Sequence, residues 1–135
     1  MRFIAALLLF FASIAQAQTV GVHTISAHEH GGFSNVDPGL YIRQDSGWTY
    51  GAYRNSHRRG SMYFGKTWET PEWHSLSLAV TAGGVTGYPA GAVTPLFVPS
   101  VAYHFGKSAI RIGLIPKPPY QGSSAAVHLM IEQSI

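Results

Sequence analysis

The chain of 135 residues has no cysteine, and only 6 acidic side chains stand against 9 lysines and arginines. Without thiols there can be no disulfide staple, thiolate metal site, thiol nucleophile or redox pair. A small domain deprived of disulfides must draw stability from a closed sheet, a membrane, an oligomer or close packing. Basic residues cluster only at Arg54, Arg58 and Arg59, inside one predicted turn. That patch suits lipid phosphates and is too small for a nucleic-acid partner. Also missing is any amphipathic helical stripe beyond the first residues.

The N-terminus, "MRFIAALLLFFASIAQA", has a basic Arg2, an apolar run over 3–12 and a small-x-small ending at Ala15-Gln16-Ala17. This is the layout of a secretory signal peptide. A membrane-spanning helix needs roughly 20 apolar residues, more than this core supplies. Cleavage after Ala17 is expected, leaving 18–135 as one exported domain.

What fills that domain is a series of short runs rich in aromatic and β-branched residues, punctuated by Gly, Pro, Asn, Asp and Ser. Strands are predicted at about 20–27, 39–44, 48–54, 61–68, 74–81, 94–105, 108–115 and 125–133. "QDSGW" and "HFGKS" read as hairpin turns, with glycine available for a positive φ. Pro99 predicts a bulge or an edge in the sixth strand, and "TAGGVTGYPAG" predicts a loosening or bend of the sheet.

Several strands alternate with period two. Val127, Leu129, Ile131 and Ile135 oppose His128, Glu132 and Ser134. Ile110, Ile112 and Leu114 oppose Ala109, Arg111 and Gly113, while Leu76, Leu78 and Val80 oppose Ser75, Ser77, Ala79 and Thr81. In a soluble sandwich or barrel the apolar set would meet inside. In an outer-membrane barrel the order inverts, and lipid touches the apolar set. The polar set here is small, as a narrow bore requires. Aromatic residues near strand ends (Tyr41, Trp48, Tyr63, Trp68, Trp73, Tyr103, Tyr120) fit a pair of interfacial girdles. On the inverted arrangement Arg111 lies inside and needs a partner such as Glu132 or Glu69, because an unpaired buried charge is costly.

The ordered motifs "GLYIRQDSGWTYGAYRNS", "YFGKTWE", "LSLAVTAGGVTG", "TPLFVPSVAYHFG" and "IRIGLIPK" run from Gly39 to about Lys117. In this order they resemble the lipid A palmitoyltransferase family of small outer-membrane β-barrels. The resemblance implies an all-β, closed antiparallel barrel of about eight strands with an apolar acyl pocket. It also implies transfer of a palmitoyl group from a phospholipid to lipid A; no cofactor or metal is assigned from the sequence. Family members are proposed to use a histidine near the first strand and an Asp-Ser pair at the outer end of an early hairpin. Ser56 matches the serine, Asn55 stands at the aspartate position, and His28 is the preferred histidine, with His23 and His30 open. Asn55 cannot supply the aspartate's negative charge, so the resemblance supports the fold more strongly than the reaction.

Each candidate also has a plainer role. Ser56 is either a nucleophile or oxyanion donor with a base beside it, or a turn residue bonding its own backbone. Asn55 either orients a histidine or donates to an oxyanion, or stabilises the turn. His28 suits a general base or an exposed structural position, and His23, His28 and His30 together lack zinc-motif spacing. Asp37, before Pro38, reads as a turn former. The expected partners are membrane lipids, phospholipid or lipid A, and the expected location is the outer membrane ahead of the soluble periplasm. The alternative is a non-enzymatic exported barrel that binds an apolar ligand or a partner protein.

Overall fold

The computed structural model describes residues 17–29, 31–89, 91–117 and 124–135. Eight strands follow in chain order: β1 (Ala17–His28), β2 (Val36–Gln44), β3 (Trp48–Arg54), β4 (Gly60–Glu69), β5 (Leu76–Val85), β6 (Thr94–Phe105), β7 (Ser108–Ile115) and β8 (Ala126–Ser134). Each pairs antiparallel with its neighbours, and β8 returns to β1 to close the barrel. Closure removes the sheet edges that a disulfide-free domain would otherwise have to protect. Apart from Ala17, the expected signal peptide lies outside the described residues, as do His30 and Tyr120.

The two ends of the barrel differ. Tight turns join β2 to β3 and β6 to β7, where Gly47 and Gly106 take φ of 94° and 64°, as the hairpin sequences predict. The start of β1, the end of β8 and the 70–75 connection share this turn end. Residues 31–35, 55–59, 86–89, 91–93, 116–117 and 124–125 lie at the opposite, loop end.

Two strand expectations need correction. β5 starts at Leu76 rather than residue 74, because His74 and Ser75 both take positive φ and turn the chain. It also runs on through Gly83 and Gly84, where a loosened sheet was expected. Gly83 pairs with Gly65, and a Cβ on it would collide with the Phe64 carbonyl. Those glycines permit close strand approach and so continue the ladder. Pro99 behaves as an edge residue on one side. Residues 94–99 pair with β5, but the β6–β7 ladder starts only at Ser100 opposite Gly113.

The apolar set points outward and the polar set inward. Leu78 is 61% exposed, Ile112 44% and Val127 47%, while Ser77, Ala109, Arg111, His128 and Glu132 are buried. Trp48, Trp68, Trp73 and Tyr103 are also outside. Tyr41 is not in a girdle: it is buried in the bore, packed where a Cβ on Gly21 would stand, and Tyr63 packs over Gly51 in the same way. The inward glycines make room for the rings.

Near the turn end the bore is crossed by an ionic layer. Arg111 Nε donates to Glu132 Oε1 at 2.7 Å and its Nη2 to Glu69 Oε2 at 2.9 Å. Arg43 meets both Glu132 oxygens at 3.0 and 3.1 Å, and Tyr41 Oη donates to Glu132 Oε1 at 2.6 Å. Two cations offset two anions, so Arg111 has both of the partners expected for it. Truncating Glu132 would strand two guanidinium groups in the bore. Glu132→Ala is expected to lose about 3–5 kcal/mol, read as a lower urea midpoint for the purified barrel. Glu132→Gln, which keeps the shape, should lose less.

Candidate functional site

The loop-end half of the bore owes its chemistry to an irregularity in β1. Strict alternation would send His23 and Ser26 to opposite faces, since they differ by an odd number of positions. The pairing registers of β1 shift between His23 and Ile25 against β2, and between His23 and Ser26 against β8. That bulge leaves Ile25 facing out and brings both His23 and Ser26 inside. Thr24 Oγ1 ties the bulge down by donating to the Leu129 carbonyl at 2.6 Å. Bulges near functional sites re-aim side chains in this manner.

Five side chains from four strands then form one hydrogen-bonded chain. Ser26 Oγ donates to Asp37 Oδ2 and lies 2.7 Å from His128 Nδ1. His128 Nε2 is 2.8 Å from His23 Nδ1, and His23 Nε2 is 2.9 Å from Tyr63 Oη. The polarity follows from the carboxylate end. A carboxylate accepts, and a serine hydroxyl has one proton to give. With that proton directed to Asp37, His128 Nδ1 must carry the hydrogen facing Ser26 Oγ. His128 Nε2 is then an acceptor for His23 Nδ1–H, and His23 Nε2 accepts from Tyr63 Oη–H. Asp37, read from sequence as a turn former, is in fact an inward residue of β2, 4% exposed.

These groups line a cavity of about 280 Å³ with two unlike walls. The polar wall comes from β1, β2 and β8. Across from it, β5, β6 and β7 contribute an apolar patch made of Val85, Leu96, Val98 and Ile115. It lies against the stretch where β6 and β7 do not pair. Among the described residues, two buried side-chain atoms have no hydrogen-bond partner: Asp37 Oδ1 and Thr94 Oγ1. Both residues line this cavity. No group of three or more His, Asp or Glu side chains among the described residues could hold a metal ion.

The residues singled out from sequence sit at the mouth. His28 and Ser56 both line the cavity, but their described hydrogen bonds run elsewhere. His28 Nδ1 donates to Asn35 Oδ1 at 3.1 Å, and the Ser56 carbonyl accepts from Ser34 N at 3.0 Å. His28 stacks on Phe33, whose ring meets the edge of His57. Partial burial and the nearby Arg59 and His28 push the His57 imidazole below its ordinary value. Asn55 is fully buried. Its Nδ2 donates to Ser61 Oγ and the Gly87 carbonyl, both at 2.9 Å. Its Oδ1 accepts from the backbone N–H groups of His57 and Arg59 at 2.9 and 3.1 Å. Two of the amide's four bonds stay within segment 55–59, one reaches Ser61 on β4 and one ties the segment to Gly87, so its whole polar capacity is spent on structure.

Ser26 and Asp37 were missed because alternation cannot reveal a bulge, and because their contact joins two strands. His128 is inward by parity, yet nothing local names its partners. The role of Asn55 is open to a direct check. Asn55→Asp restores the carboxylate of the resembling family but removes two donors and sets a charge against the Gly87 carbonyl. It is expected to destabilise by about 3 kcal/mol, seen as a lower unfolding midpoint and faster proteolysis within 55–59, with no gain of activity.

No family model matches the chain, and no curated protein matches it. The closed eight-stranded antiparallel barrel is consistent with small outer-membrane β-barrels in general.

Proposed function

We propose that this chain is an outer-membrane β-barrel of the lipid-acyltransferase type. It draws one acyl chain from the surrounding lipid into the loop-end bore and acts on the ester that bears it. The observation that carries this reading is the two-walled cavity. A hydrogen-bonded chain suited to an ester faces an apolar wall suited to an acyl tail, and the apolar wall adjoins the unpaired stretch of β6 and β7. A tail can enter there from the lipid-facing side. Pro95 and Pro99 have no N–H, so the unpaired stretch leaves fewer donors wanting a partner in an apolar medium.

Membrane residence is supported by the outward apolar band and by strands of 7 to 12 residues, against about 9–11 for a spanning strand. Trp48, Trp68 and Tyr103 ring the turn end, with Lys66 Nζ 5.2 Å from the Trp48 ring centre. Short turns belong at the periplasmic side and longer loops outside, which directs the cavity toward the cell exterior. The exposed Arg54, Arg58, Arg59 and Lys117 then stand at the level of outer-leaflet phosphates. The cavity is near the lower bound of small-molecule sites, about 300 Å³, which suits one tail better than a whole lipid. A phospholipid donor and a lipid A acceptor follow from the resemblance.

A binding-only barrel is the second reading, favoured by the commitment of Asn55 to loop structure. Two measurements separate the possibilities. Leu78→Arg should cost about 2–4 kcal/mol of folding stability in bilayers, and it should lower the heat-modifiable band in outer-membrane fractions. Purified barrel in mixed micelles of phospholipid and lipid A should move labelled acyl chains between them. Retained lipid without any turnover would select the binding-only barrel.

A further inference from the structure

We propose that Ser26 is the nucleophile of the acyl-transfer centre, with Asp37 taking the serine proton. On this proposal, which rests on the lipid-acyl reading above, His128 contacts the serine oxygen, and His23 and Tyr63 are positioning residues. The order of groups is His–Ser–Asp, with the serine in the middle. Serine hydrolases commonly put the histidine between serine and carboxylate. Here the serine proton already points at Asp37 Oδ2, so the carboxylate is its immediate acceptor. His128 approaches the same oxygen as a donor at 2.7 Å. Its tautomer is set through Ser26 by the Asp37 carboxylate, and His23, held in turn by Tyr63, occupies its other ring nitrogen.

Three further observations converge on Ser26. The bulge turns it into the bore when the alternation of β1 would have sent it to lipid. It shares the cavity with the apolar wall. Asp37 also keeps one buried oxygen, Oδ1, without a partner. That oxygen is an acceptor for a second hydroxyl, the group an acyl acceptor must bring. Thr94 Oγ1, also unpartnered in the same cavity, is a hydroxyl available to the ester carbonyl.

The reaction balances without a cofactor. Ser26 Oγ forms a bond to the acyl carbon as its proton moves to Asp37 Oδ2. The ester C–O bond breaks, and the departing alcohol oxygen takes that proton, leaving acyl-Ser26 and a lyso-lipid. The acceptor alcohol then donates its proton to Asp37 Oδ1 and attacks the acyl carbon. The Ser26 C–O bond breaks, the serine oxygen is reprotonated from Asp37, and the new ester leaves. The substrate class is a long-chain carboxylic ester, and the acceptor is a hydroxyl-bearing amphiphile or water.

The test uses a lipophilic fluorophosphonate on the unaltered full-length barrel folded in detergent, with the adduct located by peptide mass mapping. The expected result is one adduct, at Ser26. Asp37→Asn is expected to slow labelling by about 10²-fold or more. Tyr63→Phe should slow it less, while altering the His128 ring-nitrogen NMR signals that report its tautomer. An adduct at Ser56, or no adduct on a barrel that still binds a fluorescent phospholipid, would overturn the assignment and leave the lipid reading standing. Loss of phospholipid binding in the unaltered protein would instead sink the lipid reading itself. Product analysis with lipid A or water as acceptor tells transferase from hydrolase.

Discussion

Closure of an alternating sheet with its polar face inward is the constraint from which the remaining features follow. Once the ladder meets itself, every inward side chain must fit a narrow bore and satisfy its polar atoms there. Glycine and tyrosine solve the space problem together, as Gly21 with Tyr41 and Gly51 with Tyr63 illustrate. Hydroxyls solve part of the hydrogen-bond problem, since Thr49, Thr67 and Thr81 bond in sequence at 2.9 and 2.8 Å. The charges need more. Arg43, Arg111, Glu69 and Glu132 achieve neutrality as a group of four, and each Glu132 oxygen accepts from both arginines. Such a layer adds little to stability over an apolar filling. It does divide the bore into a polar vestibule at the turn end and a separate cavity at the loop end.

That division shapes the loop-end cavity. With the ionic layer below and the linked segments 55–59 and 86–93 above, the loop-end cavity has a floor and part of a roof. Asn55 contributes to that roof. Its amide serves two segments at once, and the positive φ of Gly87 lets the backbone come close enough to be bonded. The residue matched to a catalytic aspartate thus acts on the shape of the cavity mouth.

The architecture was largely legible in the sequence, because period-two alternation is a local signal, although the pattern alone left open which of its faces points inward. Arg111 could be given candidate partners in advance, Glu132 and Glu69 among them, since a charge on an inward face must be paired. The errors also have physical causes. Tyr41 and Tyr63 were grouped with the interfacial aromatics on strand position alone. Their neighbours two residues away (Gly39 and Arg43, Ser61 and Gly65) mark both as inward. Asp37 was read from the proline that follows it, a local cue that says nothing of the strand across from it. Ser26 was hidden more deeply. Its face is decided by one extra residue in β1, and no local composition distinguishes a bulged "HTIS" from a regular one.

The bulge also explains how one strand supplies two members of the hydrogen-bonded chain. In a regular β strand, residues three apart point to opposite faces, so His23 and Ser26 could not share a third partner. With the extra residue absorbed, both reach His128 from the same strand, one at each ring nitrogen. An imidazole held at both nitrogens cannot flip, so its tautomer is set by its neighbours. The direction of every hydrogen bond in the chain then depends on one group, the Asp37 carboxylate. Remove its ability to accept and the serine proton has to turn toward His128, which must shed its own Nδ1 hydrogen and reverse the bonds through His23 to Tyr63. The five residues therefore behave as one unit, and substitutions among them should be non-additive in their effects.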